Sequence, residues 1–132
     1  MKLRYFSTCL TILLTSGCST IEISPEATSV KLAGGEVVPS ILSAKLEPPK
    51  EKSAPPAECK LLGEVTGRDY YLVTSPSLGL MPESDIEKLI VGAKNDLKNK
   101  AAEMGANIVY LQSAYASTGD DVNISGLAYK CP

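Results

Sequence analysis

Ser84-Asp85-Ile86-Glu87-Lys88-Leu89-Ile90-Val91-Gly92-Ala93-Lys94-Asn95-Asp96-Leu97-Lys98-Asn99-Lys100-Ala101-Ala102-Glu103-Met104 is the stretch whose reading decides the fold of this 132-residue chain. Ile86, Leu89, Ile90, Ala93, Leu97, Ala101 and Met104 recur at three- and four-residue steps, which puts one apolar stripe along a helix of about 20 residues. Ser84 and Glu87 have the spacing of a capping box, in which the Ser hydroxyl accepts from the Glu87 amide and the Glu carboxylate reaches back. Gly105 follows as the stop. Lys88, Lys94, Asn95 and Lys98 fall on other faces and are expected to form a solvated surface.

A single striped helix has to bury its stripe on another layer, and the flanking segments read as a sheet. Cys59 to Arg68, with Leu61, Val65 and interspersed glycines, reads as a first strand, which Tyr70 to Val73 could continue after a bend. Ser75 to Pro82 is rich in Pro, Gly and Ser and reads as loop. Ile108 to Ala116 suits a central strand, Thr118-Gly119-Asp120-Asp121 a turn, and Val122 to Lys130 an antiparallel return. In that return the large apolar residues change phase, from Val122 and Ile124 to Leu127 and Tyr129, so a bulge is expected at Gly126. A strand, helix, strand crossover is right-handed and leaves its two strands parallel. The last strand then fits between them. The expected fold is therefore α+β: a small β-α-β-β domain over residues 58–132, with one helix packed on a mainly antiparallel three-stranded sheet.

The cysteines bear on compartment. Leu14-Thr15-Ser16-Gly17-Cys18 closes a short apolar run that follows Lys2 and Arg4, and reads as a bacterial lipoprotein processing site. Residues 1–17 would be the signal peptide, and Cys18 would carry a diacylglyceryl group and, after cleavage, a third acyl chain on its amine. Thr15 stands where Leu is usual in such a site. Ser19 in place of Asp favours transfer to the outer membrane, with the domain facing the periplasm. Cys9 leaves with the leader and Cys18 is consumed by lipid, so Cys59 and Cys131 have only each other. Their pairing would pin the first strand to the last, closing a loop of roughly 70 residues for about 4 kcal/mol in the chain-entropy model. For a domain of roughly 75 residues such a staple matters.

Residues 18–57 read as a lipidated N-terminus and tether. Glu47 to Glu58 holds four prolines among charges and small residues, the composition of a linker or solvated loop. Ser29-Val30-Lys31-Leu32 alternates like a short strand, and Val37-Val38 and Ile41-Leu42 are more apolar than a linker needs, so part of this region could dock on the domain. Fully disordered, the roughly 40 residues after Cys18 would reach about 35 Å on average and ~120 Å at full extension.

Several function classes are disfavoured. Of 13 basic residues two leave with the leader, and the remaining 11 face 15 acidic ones, so no basic patch invites nucleic acid. The chain has no His, which with a single cysteine pair argues against a metal site, and it has no Gly-rich phosphate loop; neither an enzyme nor a cofactor is expected. Asp120-Asp121 reads as turn chemistry rather than a Ca²⁺ site, and Asn123-Ile124-Ser125 as strand rather than sequon. Tyr70, Tyr71, Tyr110, Tyr115 and Tyr129 are read as cross-strand packing ahead of a groove.

Three segments together carry a resemblance: Glu-Cys-Lys-Leu-Leu-Gly-Glu-Val-Thr-Gly at 58–67, Asn-Asp-Leu-Lys-Asn-Lys-Ala-Ala-Glu-Met-Gly-Ala-Asn at 95–107, and Gly-Leu-Ala-Tyr-Lys-Cys-Pro at 126–132. In these the chain resembles the YjeI-type enterobacterial lipoproteins, a family of unknown function. More distantly it is similar to the RcsF-like envelope-stress lipoproteins, which share the anchor, the Pro-rich tether and a helix ending in Ala-Asn. Those carry two disulfides, and here the aligned positions around Asp69 to Tyr71 and at Ala114 are not Cys. The resemblance implies a lipid-anchored binding or stress-signalling module with an envelope protein partner; the alternative is a passive structural outer-membrane lipoprotein.

Overall fold

The computed structural model describes residues 21–39, 44–48, 55–70, 83–117 and 121–132. The leader, Cys18, Ile41-Leu42, Tyr71 to Pro82 and the turn at Thr118 to Asp120 lie outside the described residues. Strands β1 (Lys31–Ala33), β2 (Glu36–Val38), β3 (Lys45–Glu47) and β4 (Lys60–Tyr70) precede the helix α1 (Glu83–Glu103), and β5 (Ile108–Ser117) and β6 (Asp121–Lys130) follow it.

The fold is α+β, with the helix on one face of a sheet ordered β1-β5-β6-β4. In the order expected from the sequence, β6 lies between β4 and β5 and runs antiparallel to both. The sheet has four strands rather than three. The additional one is β1, which pairs parallel to β5 through Lys31↔Ile108, Leu32↔Val109 and Ala33↔Tyr110. The chain then turns away at Gly34, whose φ of 89° suits glycine, and β2 and β3 form a separate two-stranded ribbon.

Helix α1 starts at Glu83, one residue before the expected cap at Ser84, and stops where expected, with Gly105 at φ 83°. Its stripe of Ile86, Leu89, Ile90, Ala93, Leu97 and Ala101 is buried on Val65 of β4, Val109 and Leu111 of β5, and Val122, Ile124 and Ala128 of β6. Met104, at the end of the stripe, is 38% exposed and lies outside the buried core. The close approach of the layers depends on Gly67, where a Cβ would overlap the Ala93 carbonyl and stand 2.6 Å from Leu97 Cβ.

The expected bulge at Gly126 is not in β6. That strand keeps one phase throughout, with Val122, Ile124, Gly126 and Ala128 toward the helix. The irregularity is opposite, in β5, where Leu111 pairs Gly126 and Ser113 pairs Ser125, leaving Gln112 as the extra residue. Val109 and Leu111 face the helix before it, and Ala114 and Ala116 pack on the core after it. Leu127 and Tyr129 belong to the other face. Gly126 itself cannot carry a side chain, since a Cβ there would stand 2.7 Å from the Tyr110 carbonyl oxygen of β5. A second irregularity at Leu62 lets Leu61 pair Tyr129 and Gly63 pair Ala128.

Residues 21–33 pack on the domain. Ala27, in a short 3₁₀ turn over Pro25–Ser29, and Val30 are buried, and the Lys31 amide donates to the Asn107 carbonyl at 3.0 Å. Val37, Ala44 and Leu46 also join the core. The Pro-rich stretch therefore connects two parts of the fold, β3 and β4, instead of separating the fold from the N-terminus.

Candidate functional site

Cys59 and Cys131 are joined in a disulfide with their Cα atoms 4.2 Å apart, at one end of the β4–β6 ladder. Asn107 completes that end. Its Nδ2 donates to the Cys131 carbonyl at 2.8 Å and its Oδ1 accepts from the Cys131 amide at 2.8 Å, the two bonds another strand would make. Cys18, the other site residue expected from the sequence, lies outside the described residues.

From the disulfide end, the sheet face away from the helix changes character row by row. Tyr110 and Tyr129 meet edge to face with ring centres 5.6 Å apart, in agreement with cross-strand packing. In the next row the Ser113 and Ser125 hydroxyls share a hydrogen bond of 2.6 Å. Then come Tyr115, Asn123 and Arg68 in register, and Asp121 beside Tyr70. Arg68 Nη2 pairs with Asp121 Oδ2 at 2.9 Å, and Asn123 Nδ2 donates to the same oxygen at 3.1 Å. Asp121 and Asn123 are buried, while Tyr70 and Tyr115 are more than half exposed. Two open tyrosines thus flank a fixed polar cluster, which suits binding: aromatic faces give contact area and the held charges give direction. Asp121 belongs to β6 and not to the expected turn, and Asn123 is buried strand, consistent with reading its sequon as strand sequence.

A second polar feature seals the outer edge of β4. The Arg68 amide donates to Asp96 Oδ2 at 2.9 Å, Lys100 Nζ donates to the Thr66 carbonyl at 3.0 Å, and Lys100 and Asp96 pair at 2.7 Å. Helix side chains here satisfy backbone groups that a neighbouring strand would otherwise take. The opposite edge is different. Beyond Ala33 the chain leaves β5, and an open groove of 580 Å³ runs between Gly34, Lys45, Leu46 and Pro48 on one side and Leu111 to Ala114 on the other.

Asp69 points toward the helix from β4 and is buried beneath Gly92, where any Cβ would overlap its carboxylate. Burial pushes its carboxyl above the ordinary range, the Tyr70 amide bond opposes this, and the charge of Asp96 adds to it. Sequence reasoning did not find this group, because an Asp after Arg68 at the end of a strand looks like loop chemistry.

The polar flank of α1 is not simply solvated. Asn95 Nδ2 donates to the Ile21 carbonyl at 2.8 Å, Asn99 Nδ2 donates to the Glu22 carbonyl at 2.9 Å, and Asn99 Oδ1 accepts from the Ser24 amide at 2.8 Å. Two amide side chains one turn apart thereby hold an extended segment more than 70 positions away in sequence. Among the described residues no cluster of three His, Cys, Asp or Glu could hold a metal ion, and no helix is long and apolar enough to cross a membrane.

These features define a small disulfide-bonded α+β domain with its N-terminal segment strapped to the helix. Residues 51–131 match the model of a domain of unknown function, DUF4156, and the chain belongs to that family. It is 31% identical over 122 residues to the uncharacterized protein YjeI of Escherichia coli K12, an alignment covering 78% of this chain and 97% of YjeI. The same identity and coverage hold for YjeI of Escherichia coli O6:H1 strain CFT073 and of Shigella flexneri. No solved structure matches.

Proposed function

We propose that this protein is a non-enzymatic, lipid-anchored component of the cell envelope, attached through acylated Cys18 to the outer membrane and facing the periplasm, where it binds an envelope protein partner. The observation that carries the reading is the open sheet face, with Tyr70 and Tyr115 exposed around the Arg68–Asp121–Asn123 cluster. The disulfide agrees with an oxidising compartment. The serine hydroxyls on this face bond to each other and the Asp121 carboxylate is held by Arg68 and Asn123, an arrangement suited to recognition more than to proton transfer. The partner-binding role in its finer form is envelope-stress signalling.

Metabolic labelling with a palmitate analogue tests the anchor: wild type should label and fractionate with membranes, and Cys18→Ala should do neither. Crosslinking in native envelopes, followed by mass spectrometry, tests the partner. A specific crosslinked protein that Tyr115→Ala loses supports binding. No such product, together with an envelope-stress reporter that is flat on deletion and overexpression, overturns the binding and signalling reading and leaves a passive structural lipoprotein.

A further inference from the structure

We propose that the outward flank of α1, around Lys88, Val91 and Asn95, lies against the lipid headgroups of the bilayer that holds Cys18, so that the domain rests on the membrane instead of standing off it. The inference rests on the acylation proposed above.

Chain length carries the argument. Ile21 is only three positions after Cys18, and three extended residues span at most ~11 Å. Ile21 is not free to move outward, because its carbonyl is held by Asn95 and the next residues by Asn99, both on the helix flank. The acyl chains must therefore enter the bilayer beside this flank. The surface presented there suits a headgroup layer. Val91 is 51% exposed, and helical spacing sets Lys88, Lys94, Lys98 and Glu87 around it. Lys88 also pairs with Asp85 at 3.6 Å. Such mixed charge about an apolar residue matches headgroups that carry both phosphate and ammonium, with lysine stems lying along the interface and their heads on phosphate. The sheet face with Tyr115 is on the far side of the domain and would point away from the membrane, open to a partner.

The chain contains no Trp, which allows a direct test. The full acylated protein, carrying Val91→Trp, Lys88→Trp or Tyr115→Trp, is reconstituted in vesicles of phosphatidylethanolamine and phosphatidylglycerol brominated near the headgroup. All three sites are exposed, so none of the substitutions disturbs the core. Fluorescence of Val91→Trp and Lys88→Trp should be quenched about twofold or more relative to Tyr115→Trp, since quenching reports depth within the interfacial ~5–10 Å. Equal quenching at the three positions, in protein that floats with the vesicles, overturns the orientation while the anchor stands. Protein that does not float, with no acyl mass on Cys18, overturns the anchor and this proposal with it.

Discussion

Replacing Asn99 by Ala removes two hydrogen bonds at once, the one Nδ2 gives to the Glu22 carbonyl at 2.9 Å and the one Oδ1 takes from the Ser24 amide at 2.8 Å. At about 0.5–1.5 kcal/mol each, the local loss is about 1–3 kcal/mol. The change should stay local, because Ala27 and Val30 are buried and the Lys31 amide is bonded to Asn107, which keeps the rest of the segment in place. Amide exchange is the appropriate assay. Protection of the Ser24 amide should fall roughly 5- to 150-fold, while that of Lys31 and the overall unfolding midpoint hardly move. Asn99→Asp retains the acceptor for Ser24 and loses the donor to Glu22, so its effect should be intermediate. Unchanged protection at Ser24 in Asn99→Ala would refute the strap. Equal loss at Ser24 and Lys31 would show that the segment docks as one cooperative piece and that the asparagines do not hold it locally.

Loss of the disulfide in Cys59→Ala/Cys131→Ala, which opens a loop of sequence separation 72, should cost about 4 kcal/mol in urea unfolding; a loss under about 1 kcal/mol would contradict the unfolded-state account. Gly67→Ala should destabilise by about 1–3 kcal/mol, because the helix has to lift from β4, and wild-type stability in this variant would show that the layers are not in contact there. Asp69→Asn should raise stability at neutral pH. The native carboxyl titrates above its unfolded value of 3.8, so the ionised form is disfavoured in the fold; the gain should be fully present at pH 7 and fade as pH falls through the raised pKa toward 3.8. A gain independent of pH would assign the effect to something other than the charge. Asp96→Ala/Lys100→Ala should expose the Arg68 amide and Thr66 carbonyl and promote self-association, read by light scattering; a monomer at every concentration tested would mean that the edge needs no seal.

What the sequence makes legible is what large apolar side chains report. The stripe from Ile86 to Ala101 and the run from Ile108 announce their elements because burial of such residues dominates the energetics. Gly126 and Ala128 also face the helix, but they are small and give no periodic signal, and at Gly126 a Cβ would stand 2.7 Å from the Tyr110 carbonyl oxygen of β5. Leu127 and Tyr129, the conspicuous residues, thus suggested a phase change in β6 that belongs to β5 at Gln112. Strand β1 shows locally in the alternation from Ser29 to Leu32, but its partner β5 lies far along the chain, beyond the reach of local patterning. Polar partnerships are the least visible. Asn95 and Asn99 look like any solvated pair at helical spacing, and only the position of Ile21 to Ser24 gives them a task. Cys59 and Cys131 were legible by elimination, and the polar cluster of Arg68, Asp121 and Asn123 became visible only once the strand register was known.

The sealed edge at β4 also limits how this protein can join copies of itself. Strand-by-strand growth into a fibre needs two open borders per molecule, one to receive and one to offer. Asp96 and Lys100 occupy one of these along Thr66 and Arg68, so an incoming strand cannot pair with that part of β4 without displacing them. Open-ended strand addition at β4 therefore starts with the loss of two side-chain bonds to its backbone, a local barrier that acts before any second molecule is in place.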